Sequence, residues 1–137
     1  MLDTNAVAAL IDENPPAARR RLKRAVASKS TVAVSTIVLH ELWYGVALSK
    51  YQSENEANLR KFLSAGIQVL PFEEEDAMRA GELRAILKGK GKPIGPYDAL
   101  IAGQALRTGM TLVTANVAEF SRIEGLKWQN WMAVSRE

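Results

Sequence analysis

With 137 residues and 47% hydrophobic content, the chain is sized for one domain over residues 1–137, with a core that needs no metal or disulfide staple. It has no cysteine, which excludes a disulfide framework, a thiolate zinc site and cysteine nucleophilic catalysis, and its single histidine, His40, leaves little for an imidazole zinc site. A formal charge of +3 is compatible with nucleic acid without singling it out.

Met1-Leu2 reads as the stub of a first strand, followed by a helix over Asn5 to Ile11. Pro15-Pro16 opens a second helix, because proline is tolerated in a first helical turn. Thr31 to Ser35 is a β-branched, strand-like run, and Thr36 to Ser49 returns to helical spacing. Glu54 to Ala65 is a further helix, stopped by Gly66 before the strand Ile67 to Leu70, which Pro71 ends. Glu73 to Lys88 is a long amphipathic helix, and Gly89, Gly91, Pro93 and Gly95 then break the chain. Pro96 restarts a helix that runs to Arg107 with Gly109 as its stop. Thr111 to Thr114 is a fourth strand and Leu126 to Trp128 a short fifth. Strands alternating with helices predict an α/β/α domain around a mainly parallel sheet of four or five strands. Apolar runs stay below the roughly 18–20 residues that span a bilayer, and no signal-peptide layout opens the chain. The expectation is a soluble cytoplasmic protein without membrane contact.

In such sheets ligands bind beyond the carboxyl ends of the strands. Asp3 follows the first strand, Asp98 lies in the first turn of the helix opened by Pro96, and Asn116 follows the fourth strand. Asp3 and Asp98 each have an ordinary reading, as a helix cap or as a negative charge at a helix N-terminus. Glu41 is harder to dismiss. It sits in the apolar segment Ile37 to Tyr44, where a buried carboxylate needs a cation or hydrogen bonds. Three converging carboxylates suit a hard cation, Mg²⁺ or Mn²⁺, and a carboxylate-held metal suits phosphodiester hydrolysis.

Leu2-Asp3-Thr4-Asn5, Glu41-Leu42, Gly95-Pro96-Tyr97-Asp98 with Ile101-Ala102-Gly103, and Thr114-Ala115-Asn116 resemble the PIN-domain nucleases, and more narrowly the VapC toxins of toxin–antitoxin pairs. The likeness spans nearly the whole chain. It implies a Mg²⁺-dependent endoribonuclease that cuts RNA, transfer RNA in many relatives, and that forms a homodimer and a hetero-oligomer with a VapB-type antitoxin. Carried over by position, Asp3 and Asp98 are the metal ligands, Glu41 completes the acidic cluster, and Asn116 is the fourth corner. Thr4 and Asn5 would orient the first loop, and Thr114 would bond within the site. Many relatives carry aspartate at the position of Asn116, and a neutral amide there favours one ion over two. The first strand is also short, with only two residues ahead of Asp3, as if a few residues were missing or translation began inside the strand.

Arg19, Arg20, Arg21, Lys23, Arg24 and Lys29 form one basic cluster; Arg84, Lys88, Lys90 and Lys92 form another, leading towards Asp98. The first reads as a solvated helix face, the second as a contact for RNA phosphates, and either could meet an acidic antitoxin segment. Trp43, Tyr44 and Tyr51 read as core aromatics, Trp128 and Trp131 as packing for the last strand, and His40 as structural. Within enzymes the competing reading is a PIN nuclease of RNA processing, or of structured DNA, without an antitoxin; from a different class comes a phospho-acceptor receiver domain. The receiver needs an aspartate at the end of the third strand, where this chain has Leu70-Pro71-Phe72. A catalytically inactive binding module is the non-enzyme alternative.

Overall fold

The computed structural model describes residues 1–133. Seven helices and four short strands follow in the order α1 (Thr4–Asp12), α2 (Pro16–Ala27), β1 (Ala33–Ser35), α3 (Thr36–Leu48), α4 (Gln52–Leu63), β2 (Gln68–Leu70), α5 (Glu74–Gly89), α6 (Pro96–Thr108), β3 (Leu112–Val113), α7 (Val117–Phe120) and β4 (Trp128–Gln129). β1 pairs with β2 and β3 with β4, both parallel. Leu2 joins the two ladders, bridging Val34 on one side and Val113 on the other, again in parallel. The sheet therefore reads β2-β1-Leu2-β3-β4. The expected first strand is reduced to this one bridging position, and β4 lies slightly later than Leu126 to Trp128.

Hydrogen bonds fix that centre. The Leu2 amide donates to the Ala33 carbonyl at 2.9 Å, and the Val113 amide donates to the Met1 carbonyl at 2.8 Å. The Asp3 amide in turn donates to the Val113 carbonyl at 3.0 Å, so the first acidic residue is anchored to β3. Leu2, Val34, Leu112 and Val113 are buried, as the central positions of a two-sided parallel sheet must be.

Local signals set the helices around it. Ser35 caps α3 by accepting a hydrogen bond from the Ile37 amide at 3.0 Å. Pro16 and Pro96 occupy the first turns of α2 and α6, and Gly109 ends α6 in the left-handed conformation with φ 70°. Helices α1 to α4 form one contacting group, while α5 packs along α6. That second contact is close: a β-carbon on Gly103 of α6 would meet the Ala80 backbone at 2.7–2.8 Å, so only glycine permits it. Asp76 of α5 is fully buried and paired with Arg107 of α6, with Nη2 donating to Oδ2 at 3.2 Å and Nε donating to Oδ1. Burial opposes ionisation of Asp76. The Arg107 hydrogen bond and charge, with the Glu73 amide, outweigh it and hold the carboxyl below its usual range. Among the described residues, no helix is long and apolar enough to cross a membrane.

Candidate active site

The carboxyl edge of the sheet collects the acidic residues. Asp3 leaves the sheet directly after Leu2 and caps α1, accepting from the Ala6 amide at 2.8 Å while only 7% exposed. Burial raises its pKa; the Thr114 hydroxyl and Ala6 amide counteract this, and the charge of Glu41 adds to it. Thr114, fully buried at the end of β3, also accepts from the Asn116 amide at 2.9 Å, so one hydroxyl ties the first and fourth segments together.

Glu41 projects from α3 towards the same edge, where Thr4 Oγ1 donates to its Oε1 at 3.0 Å. It is half-buried rather than deeply buried. The reason lies in α3: of its residues only Val38 is fully buried, and the rest of the apolar segment around Glu41 is partly open. The burial argument for Glu41 is thus weaker than the sequence suggests, while its placement beside Asp3 holds.

Asp98 enters from the first turn of α6. Asn116 Nδ2 donates to its Oδ2 at 3.3 Å, so the neutral corner supports an acid rather than standing apart. Burial, then the neighbouring Glu119 through hydrogen bonding and charge, then the charges of Asp3 and Glu41, push the Asp98 pKa up to about 6. Glu119 is the residue that sequence reasoning missed. It lies on α7, a single turn of four residues, and its Oε2 is buried without a hydrogen-bond partner. The signal in the sequence was Glu119-Phe120 itself: Phe120 is 1% exposed and anchors the turn that carries Glu119 inward.

Of the residues expected at the site, Asp3, Thr4, Glu41, Asp98, Thr114 and Asn116 come together. Asn5 is exposed on α1 and, among the described residues, its side chain makes no hydrogen bond. Other expectations need correction. Tyr44 and Tyr51 are 62% and 68% exposed and not core, and Trp128 is exposed at 38%, while Trp131 is buried as expected. Trp43 lies under the Arg60 guanidinium, 4.9 Å from the ring centroid. His40 is exposed and stacks on Tyr97.

Among the described residues, Asp3, Glu41, Asp98 and Glu119 form no ion pair. Nor do three acidic or histidine side chains stand close enough there to enclose an ion as they are. The arrangement is an all-oxygen set of mutually repelling carboxylates facing the open end of a parallel sheet. It can accept a hard cation and its water ligands, and it can hold or release a proton at Asp98.

A PIN domain matches residues 1–126. Ribonuclease VapC2 of Rickettsia felis is 41% identical over 131 residues, 96% of either chain. The tRNA(fMet)-specific endonuclease VapC of Salmonella typhimurium is 38% identical over the same share. Among solved structures, the R. felis VapBC2 complex bound to a promoter DNA fragment superposes with a TM-score of 0.89 at 40% identity, covering 96% of this chain and 97% of that one. The DNA-bound VapBC of S. typhimurium gives 0.87 at 37%, with 96% of each chain covered. A shared domain, end-to-end identity and a shared fold converge: the chain belongs to the PIN-domain family and, within it, to the VapC ribonucleases.

Proposed function

We propose that this protein is the toxin of a toxin–antitoxin pair, a Mg²⁺-dependent endoribonuclease that hydrolyses RNA phosphodiester bonds at the Asp3, Glu41, Asp98 and Glu119 cluster. The observation that carries this reading is the uncompensated charge: four carboxylates, one with its pKa raised to about 6 and one with a buried orphan oxygen. A protein that needed these groups only for packing would supply a cation, as Arg107 does for Asp76. The donor set fits a divalent ion with oxygen ligands, Mg²⁺ before Mn²⁺, which keeps several waters of its own.

Asp3 and Asp98 would hold it, and Glu41 and Glu119 would complete its acidic surroundings. When bound, such an ion supplies charge stabilisation at phosphoryl oxygens and a more acidic water. The chain's own residues do the rest. Thr114 orients Asp3, Thr4 orients Glu41, and Asn116 orients Asp98, each through a hydroxyl or amide. Because the Asp98 pKa is raised to about 6, holding a cation would require Asp98 to be deprotonated, which would make occupancy sensitive to pH below about 6.

The choice of RNA over DNA is supported by the printed activities of the relatives, two of which are named for tRNA(fMet). A VapB-type antitoxin as partner is supported by the VapBC complexes among the structural relatives. Two surfaces suit assembly. A cleft of about 690 Å³ at the amino edge of the sheet, between α2 and α4, has an apolar lining that includes Leu22, Phe62, Ile67 and the exposed Val26. Arg19, Lys23 and Lys61 flank it, which favours an acidic, amphipathic antitoxin segment. The exposed apolar end of α3, with Tyr44 and Leu48 at 62% and 68% exposure, favours a homodimer.

The test is cleavage of total RNA and of matched DNA with Mg²⁺, with a chelator, and with Asp98→Asn. Expected are RNA fragments only, lost in both controls. Cleavage that persists in a folded Asp98→Asn protein purified from a nuclease-deficient host overturns the site. Growth arrest on expression, relieved by an adjacent short reading frame, separates the toxin from an RNA-processing nuclease.

A further inference from the structure

Two aromatic residues adjoin members of the acidic cluster in sequence, and neither belongs to the core. His40 immediately precedes Glu41 on α3, and Tyr97 immediately precedes Asp98 on α6. Their ring centroids are 6.0 Å apart with planes inclined by 25°, a stacked pair that joins the two helices carrying Glu41 and Asp98. Tyr97 is 48% exposed and His40 is exposed as well. A tyrosine left half in water contributes little to folding through burial. Its backbone is nevertheless well fixed, with Gly95 extended ahead of it (φ −59°, ψ 147°) and Pro96 locking the first helical position. An aromatic surface already held in place binds a second ring with little loss of rotamer freedom.

The chemistry of the site asks for such a surface. Four carboxylates repel a phosphodiester until a cation intervenes, so attraction for the substrate must come from groups that do not depend on that charge. Lys90 and Lys92 in the preceding loop can contact phosphates but cannot orient a nucleoside. Stacking can, and every base offers a π-face.

We propose that the stacked Tyr97 and His40 rings are the platform on which one base of the RNA rests, next to the phosphate engaged by the acidic cluster. The proposal builds on the ribonuclease reading above and adds a substrate-binding element to it. Because stacking accepts all four bases, the platform sets the position of the strand and only a weak base preference.

The experiment uses the full chain carrying Asp3→Asn, to halt cleavage, and single-stranded RNA decamers with 2-aminopurine at each position in turn. Stacking on tyrosine quenches the probe. Quenching confined to one or two adjacent positions is expected, retained in Tyr97→Phe and lost in Tyr97→Ala with binding weakened roughly tenfold. In the otherwise unaltered enzyme, Tyr97→Ala should raise KM by a similar factor and Tyr97→Phe should not. Equal quenching in the Tyr97→Ala and Tyr97→Phe proteins overturns the platform. So does a Tyr97→Ala protein that sediments as a smaller species yet still quenches the probe, since the pair would then be an interface between copies. If the unaltered protein cleaves no RNA, the ribonuclease reading fails by itself; if it cleaves and quenching survives Tyr97→Ala, only the platform fails.

Discussion

Two aspartates at opposite ends of the α6 helix, Asp98 within its first turn and Asp76 on α5 against its last, meet opposite fates. Asp76, fully buried, is held below the usual carboxylate range by Arg107, which reaches it from the last turns of α6. Asp98, in the first turn of the same helix, is pushed up to about 6 by burial and by Glu119, Asp3 and Glu41. Asp76 has a protein cation and a capping role, since it also accepts from the Glu73 amide at 2.8 Å. Asp98 has an amide, Asn116, and otherwise only other acids. The contrast is one of compensation: the satisfied pair closes the α5–α6 contact, and the other set of carboxylates has no protein cation, the perturbed state expected of functional sites.

The largest expected break falls on the open side. Asp98→Asn or Asp3→Asn should reduce Mg²⁺-dependent cleavage on the order of a hundredfold or more, as for loss of other groups that stabilise developing charge. Circular dichroism should show the fold retained. The closed side should fail differently. Arg107→Ala leaves Asp76 buried without its cation and should cost about 3–5 kcal/mol of stability in denaturant melts. An Arg107→Ala protein as stable as the parent would mean that water reaches Asp76. Gly103→Ala should cost about 1–3 kcal/mol, because the added methyl meets the Ala80 backbone and not a movable side chain.

The subtlest test is the sign of a pH dependence. The folded pKa of Asp98, about 6, exceeds its ordinary 3.8, so between these values the folded state binds the extra proton. Its contribution to metal-free stability therefore falls as pH rises from about 4 to about 6. The raised pKa of Asp3 acts in the same direction. Asp76, with its lowered pKa, stabilises above the ordinary carboxylate range and loses that contribution only as pH falls through its depressed value. Thermal melts from pH 4 to 7 with a chelator present should show the decline, and Asp98→Asn should flatten it. An unaltered slope in that variant would remove Asp98 as its source.

Much of this was legible in the residues. Asp3 and Asp98 could be placed because each adjoins a strong signal, a buried strand end or the Gly95-Pro96 start of a helix. The parallel alternation of strand and helix was readable too, since β-branched runs and proline or glycine stops punctuate it. Glu119 was not, because α7 is one turn long and four residues show no periodicity. Glu41 appeared more deeply buried than it is, because an apolar helix reads as core whether its apolar face meets the same chain or is left open. The stacking of His40 on Tyr97 joins residues 57 positions apart in the sequence, and no local pattern reports such a meeting.

The bridge at Leu2 bears on when the enzyme comes into being during synthesis. Its partners, Val34 and Val113, lie early and late in the chain, and Glu119 lies later still. A chain growing on the ribosome can pair Leu2 with β1 soon after residue 34 emerges, yet the other side of Leu2 stays open until β3 has been made. Asp3 has no Val113 carbonyl to hold its amide, and Asp98 no Glu119 beside it, before that point. A chain ending before β3 thus carries Asp3 and Asp98 without the contacts that hold Asp3 at the sheet edge and set Glu119 beside Asp98.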